Sequence, residues 1–431
     1  MTPGPTPLAR RLGTFDAVTI GLGSMIGAGV FVAFAPAAAA AGSGLLLGLA
    51  LAAVVAYCNA TSSARLAACY PSSGGTYVYG RERLGEFWGY LAGWGFVVGK
   101  TASCAAMALA VVSYAAPGVE RPWRTLLAVG VVAALTALNY RGVRRSALAT
   151  KVIVTITLLV LTSAVLAIVF AGDPAGGNLA PFPGGDAGGV LQAAGLLFFA
   201  FAGYARIATL GEEVRDPERT IPRAIPLALG IALAVYAVLA VVVLLQAGPQ
   251  KLAAVADPVA AAVASTDWSA LTPVVRVGAA LAALGALLAL VLGVSRTTLA
   301  MARDGHLPRT LAAVHPRTGV PHHAELAVGV AVAVLVSVAD LRGAIGFSSF
   351  AVLVYYAIAN ASAFTLTARE NRAPRAVPVI GLIGCVVLAL SLPTSSVIAG
   401  AAVLAAGVLT YTLRTRFGAP ASTTKQDHDR R

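Results

Sequence analysis

Apolar residues in this chain gather into runs too long for strands and too continuous for amphipathic surface helices. Such runs lie at 14–41, 43–67, 85–115, 124–140, 147–171 and 188–213, and again at 224–247, 271–301, 323–340, 343–368, 376–392 and 394–414. A membrane-spanning helix needs about 20 mostly apolar residues, so the pattern predicts an all-α polytopic membrane protein with twelve transmembrane helices. Short polar loops rich in Arg, Gly and Pro separate the runs. The first dozen residues and the tail after Phe417 are polar or Pro-rich and are expected to be disordered.

Composition strengthens this picture. Hydrophobic residues make up 58% of the 431 positions, charged residues 11%, and mean hydropathy is +0.82. A soluble chain of this length cannot hide so much apolar surface. The 45 glycines suit helices that must approach closely in lipid. A net charge of +13 would suggest nucleic acid, but its distribution does not. With a cytoplasmic N-terminus, 24 of the 31 Lys and Arg residues fall in inside segments. Only Arg121, Arg124, Lys251, Arg276 and Arg342 fall outside. The positive-inside rule therefore predicts a multi-pass protein of the cytoplasmic membrane with both termini inside. The first run is too long for a cleaved signal peptide. Cys58, Cys104 and Cys385 lie in apolar runs and Cys69 in a cytoplasmic loop; with no CxxC pair, neither a disulfide framework nor a metal cluster is expected.

Two runs carry interruptions. The first reads Gly21-Leu-Gly-Ser-Met-Ile-Gly-Ala-Gly29, four glycines that each weaken a helix interior by roughly 1 kcal/mol relative to alanine. It is not GxGxxG and follows no strand, so a dinucleotide loop is rejected. Two readings stand. One is a GxxxG packing face using Gly23 and Gly27; the other is an unwound mid-membrane segment whose free N–H groups face an anion. The sixth run contains Phe198-Phe-Ala-Phe-Ala-Gly-Tyr-Ala-Arg206, then Glu212 and Glu213. Glycine-interrupted segments at corresponding places in two halves point to a transporter binding site.

At these residues the sequence resembles the amino acid–polyamine–organocation family of transporters. Gly21 to Phe31 is similar to that family's first-helix signature, and Phe198 to Pro222 to its sixth helix and following loop. Pro71 to Tyr77 resembles the loop before its third helix, and Ser295 to Pro308 the end of its eighth. The resemblance spans nearly the whole chain. It implies a five-plus-five inverted repeat of the LeuT-like kind, with 14–171 and 188–368 as the two repeats and 376–414 as two peripheral helices. Residues 1–13 and 415–431 are then cytoplasmic tails. By the same analogy substrate sits between the breaks. The backbone of Ser24, Met25, Ile26, Gly27, Ala28 and Gly29 receives a carboxylate. The carbonyls of Phe201, Ala202 and Tyr204, beside Gly203 and Ala205, take an α-amino group.

Charged residues within the runs are the remaining candidates. Lys100 lies near the centre of the third run, where a cation costs at least about 2.5–3.5 kcal/mol. It is either a coupling group that loads and releases a proton or a lysine paired to carbonyls for packing. Arg206 is either a gate or substrate contact, or a side chain that snorkels to the interface. Many relatives carry a lysine in the fifth helix in place of a sodium ion; Thr157 stands there in this chain. Lys100 takes over that role, or Na⁺ binds near Thr157 and Ser295, unless those hydroxyls back-bond to their own helices. Proton coupling is favoured over sodium, and no other cofactor is expected. No Asp or Glu is read as lying deep in an apolar run. That absence favours neutral amino acids over polyamines or other organic cations, and an exchanger of the same fold stands as an alternative. His306, His315, His322 and His323 are assigned to a solvated loop rather than a metal site. Neither a catalytic constellation nor an appended soluble domain appears, so an intramembrane enzyme and a sensor are both disfavoured. The expected partners are a small amino acid and the lipid bilayer, with no nucleic acid and no obligate protein partner.

Overall fold

A computed structural model describes residues 12–71, 74–141, 147–211, 213–316, 318–370 and 372–417. Both terminal tails, Ser72, Ser73 and Glu212 lie outside the described residues. Among those described, every extended element is helical, and the β-type pairing is an isolated bridge between Leu12 and Val214. The first apolar run is not one helix but three: α1 (Thr14–Met25), α2 (Gly29–Val32) and α3 (Phe34–Ala41). Then come α4 (Leu45–Cys69), α5 (Thr76–Leu84), α6 (Glu86–Ala115), α7 (Trp123–Tyr140) and α8 (Ala147–Ala171). The sixth run divides into α9 (Ala187–Phe201), a 3₁₀ turn at Ala202–Tyr204, and α10 (Ala205–Ala208). The rest comprises α11 (Pro217–Ala254), α12 (Pro258–Ala264), α13 (Thr272–Arg303), α14 (His322–Val338), α15 (Leu341–Phe364), α16 (Ala376–Leu390) and α17 (Thr394–Phe417).

All twelve apolar runs are helical, and ten helical stretches are long and apolar enough to cross a membrane. The other two, α14 and α16, are apolar but only 17 and 15 residues long. Bilayer-type burial is visible in the packing. Trp123, Phe170, Leu148 and Val338 are exposed apolar side chains, whereas α6 and α15 turn long runs of small residues inward. Close helix approach through small residues replaces a hydrophobic drive that lipid does not supply.

Boundaries depart from the apolar pattern where backbone chemistry intervenes. Asp186 and Asp340 cap the starts of α9 and α15, accepting from the N–H groups of Gly189 and Gly343. Gly42, at φ +57°, turns the chain between α3 and α4. The loop expected before the third span contains α5, a short helix outside the apolar runs. Cys69 is the last residue of α4 rather than a loop residue, because the Tyr70 N–H still donates to the Leu66 carbonyl. Similarly, His322 and His323 do not belong to a loop: they open α14, whose first turn closes through Glu325 N–H to the Pro321 carbonyl at 2.9 Å.

Candidate functional site

The two interrupted helices meet. α1 ends at Met25 and helical bonding resumes only at Gly29. Among the described residues, the N–H groups of Gly27, Ala28 and Gly29 donate to no backbone carbonyl. Ser24 and Met25, grouped with the break from the sequence, still belong to α1, and the Ser24 hydroxyl donates to the Ile20 carbonyl. The glycines that weaken the helix also let neighbours touch its backbone. A Cβ on Gly29 would lie 2.7 Å from Ala200 Cα of α9, and one on Gly27 would lie 2.5 Å from Ala286 Cβ of α13. A Cβ on Gly203 would lie 2.3 Å from the Ser24 carbonyl oxygen and 2.6 Å from Met25 N. Both breaks are therefore in backbone contact, which only glycine permits at these points.

Three tyrosines hold the crossing. The Tyr236 hydroxyl of α11 lies 2.6 Å from the Met25 carbonyl and 3.1 Å from that of Ala200. The Tyr114 hydroxyl of α6 donates to the Phe31 carbonyl at 2.6 Å, and the Tyr356 hydroxyl of α15 to the Ala202 carbonyl at 3.3 Å. Phe201 packs on Tyr236 and Tyr204 on Tyr356, with ring centroids 5.1 and 5.0 Å apart. Each of the hydrogen bonds gives a partner to a carbonyl at or near a helix end, where unmet groups in an apolar core are costly.

Lys100 is only 5% exposed, and its ammonium donates to the Ala202 carbonyl at 3.1 Å. That position is the C-terminal end of α9, where the helix dipole is negative and a cation is favoured. Helix geometry thus supplies a counter-field for the buried charge. The Arg206 guanidinium on α10 donates to the Thr209 hydroxyl at 3.3 Å. Thr157 and Ser295 are buried, and each hydroxyl back-bonds within its own helix, to Ile153 at 2.7 Å and Val291 at 2.6 Å.

At the end where α1 begins, several ties cross between elements. Leu12 pairs with Val214, Lys151 lies 2.7 Å from Asp16, Arg81 meets Asp304 at 3.0 Å, and Arg83 meets Glu370. The Tyr77 hydroxyl also donates to Asp304, at 2.5 Å. Burial holds the neighbouring His306 below its ordinary pKa, and the hydrogen bond from Arg83 holds Glu370 down to about 2.

Residues 12–413 match the family model described as amino acid permease. The chain belongs to the amino acid permease family. It is thereby a multi-pass membrane transporter of the amino acid–polyamine–organocation group rather than an enzyme. An uncharacterized transporter of Mycobacterium tuberculosis is 68% identical over 95% of this chain and 92% of its own length. A branched-chain amino acid permease of Bacillus subtilis is 27% identical over 96% of this chain and 95% of its own length. Human cationic amino acid transporter 4 is 30% identical over 86% of this chain and 61% of its own length.

Sequence reasoning overlooked four residues of the permease. Tyr114, Tyr236 and Tyr356 stand inside apolar runs, where a lone phenol needs a hydrogen-bond partner; that was their available signal. The fourth is Glu325. It is buried on α14 at the very start of an apolar run, a burial that the search for acids deep in the runs did not reach. It sits in the first helical turn, close enough to the loop to read as interfacial, and tertiary packing rather than position in the run buries it. α14 packs on α6, α7 and α13, and α1 with its break packs on α8 and α11.

Proposed function

We propose that this permease is a secondary active transporter of amino acids, most specifically neutral ones, working by alternating access. The observation that carries the reading is the contact between two helix breaks with opposite partial charge. Free amides at Gly27, Ala28 and Gly29 suit a carboxylate, and carbonyls at the end of α9 suit an ammonium. A zwitterion is complementary to both. Lys100, already on the Ala202 carbonyl, is the coupling or gating group of this proposal, which favours the proton over Na⁺. Arg206 is assigned to the gate, since it lies on the short helix beyond the break.

Twelve spans in a five-plus-five inverted repeat, in the cytoplasmic membrane with both termini inside, complete the proposal. It is supported by the matching breaks in the first and sixth spans and by the charge bias of the loops. The ties that close around Asp16, Asp304 and Glu370 are read as a closed cytoplasmic gate. The relatives named above include a branched-chain amino acid permease and a cationic amino acid transporter. No carboxylate is on the α1 and α9 breaks to receive a second cation, and this favours neutral substrates.

The test is thermal stabilisation of the purified permease against the twenty amino acids, putrescine and spermidine. A ligand of the folded state stabilises by mass action whatever the coupling. Stabilisation by small or branched neutral amino acids is expected, followed by flux under imposed proton and sodium gradients. Stabilisation by arginine, lysine or polyamines alone refutes the neutral assignment.

A further inference from the structure

A second buried polar site lies away from the helix breaks, in the seam between α7 and α14. Glu325 is 0% exposed and, among the described residues, neither of its carboxylate oxygens has a hydrogen-bond partner. Asn139 faces it from α7, also 0% exposed and close enough to act on the carboxylate as a donor, yet neither atom of its carboxamide completes a hydrogen bond among the described residues. One turn further along the seam, the Thr136 hydroxyl is buried and unpartnered. A Cβ on Gly329 would come within 2.7 Å of it, so the helices approach closely there. On the other side His322, one turn before Glu325, leaves Nδ1 unpartnered.

Buried polar atoms are normally paired, because leaving one without a partner keeps its full desolvation penalty. Four orphans on two facing groups require a common explanation. An ionised carboxylate only accepts, so it satisfies the Asn139 N–H but leaves the Asn139 oxygen facing an anion. A carboxylic acid has one donor and one acceptor, as a carboxamide edge does. One added proton lets Glu325 donate to Asn139 Oδ1 while Asn139 Nδ2 donates to the remaining Glu325 oxygen. Each group then offers the other one donor and one acceptor, and the buried negative charge is removed.

We propose that Glu325 and Asn139 form a proton-binding pair between α7 and α14. The ligand is a proton, taken up on the carboxylate oxygen and released from it, with no other bond made or broken. The surroundings tune but do not replace it. Arg296 of α13 projects its positive field on the carboxylate, yet among the described residues Glu325 is in no ion pair. On α14 itself, His322 packs against the Tyr140 ring of α7, and His323 contacts the Thr310 carbonyl. Arg309, in the 3₁₀ turn packed on α14, is exposed. From α6, Glu86 is exposed and Lys100 is committed to Ala202. If the transport reading above holds, on which this last step rests, the pair carries the coupling proton and Lys100 keeps the gating role given to it there.

Infrared difference spectroscopy of the purified full-length protein across a pH titration tests the pair without reference to transport. A protonated-carboxyl C=O band at neutral pH is expected, absent in Glu325→Gln and unchanged in Asp173→Asn, an exposed acid. Asn139→Leu is expected to shift the band by removing its hydrogen-bond partner, which assigns it even if Glu325→Gln fails to fold. Absence of any such band in the wild type, or its persistence in Glu325→Gln, overturns the proposal. In proteoliposomes, a gradient of about one pH unit should drive about ten-fold accumulation per coupled proton. Glu325→Gln is expected to lose that accumulation; full retention overturns the coupling role. A wild type with the carboxyl band but no amino acid flux would defeat the transport reading alone.

Discussion

Adding a single methyl group at Gly203 tests whether the contact between the helix breaks is the binding site. In Gly203→Ala the new Cβ would sit 2.3 Å from the Ser24 carbonyl oxygen, 2.4 Å from its carbon and 2.6 Å from Met25 N. Relaxed contacts lie at about 3.5 Å or more, so the breaks must separate by about 1 Å. Backbone atoms block the methyl, and no side-chain rotation relieves the clash. Overpacking of this kind costs about 1–3 kcal/mol, and about 1.4 kcal/mol is a factor of ten in affinity. The variant is expected to bind the stabilising amino acid about 10–100-fold more weakly while remaining a folded, monodisperse membrane protein. Equilibrium binding of radiolabelled substrate to purified protein measures this. Gly130→Ala is the control, because a Cβ there meets nothing within 4 Å. Wild-type affinity in Gly203→Ala, or an equal loss in Gly130→Ala, would refute the placement of the site.

Further outcomes follow from other contacts. Tyr236→Phe leaves the Met25 and Ala200 carbonyls without their phenol and should destabilise by about 0.5–1.5 kcal/mol, read as a lowered unfolding temperature; no change would mean water replaces the hydroxyl. Lys100→Gln removes the cation at the end of α9 and should weaken substrate-induced thermal stabilisation while the protein still folds; undiminished stabilisation would remove Lys100 from the site. The tie between Arg83 and Glu370 has a defined pH window. The folded Glu370 carboxyl is held at about 2, below its ordinary 4.5. Its contribution is therefore present above about 4.5 and fades as pH falls toward 2. The difference in unfolding temperature between wild type and Glu370→Gln should shrink across that window, and a difference independent of pH would exclude the ion pair as its source.

The apolar runs by themselves determined that the chain is a helical membrane protein, since only the bilayer accommodates their length and continuity. They also located both helix interruptions, because glycine spacing is a local backbone property that needs no partner to take effect. Where each break lies depends on neighbours. Ser24 and Met25 stay helical because α1 keeps its bonding to its end, where the Ile26 N–H still donates to the Leu22 carbonyl, and only the N–H groups of Gly27, Ala28 and Gly29 are released. Helix starts set by Pro321, and the helical turn that extends to Cys69, depend on backbone hydrogen bonds that hydropathy does not encode. The largest difference concerns burial of polar groups. Lys100 was conspicuous because it stands in mid-run, but its partner is a carbonyl 102 residues away on a broken helix. Glu325 was inconspicuous because it sits one turn inside α14. Only the packing of α14 against α7 sets Asn139 opposite it and closes both groups from solvent. A sequence carries the chemistry of each group, but the desolvation that makes that chemistry consequential arises only when distant helices meet.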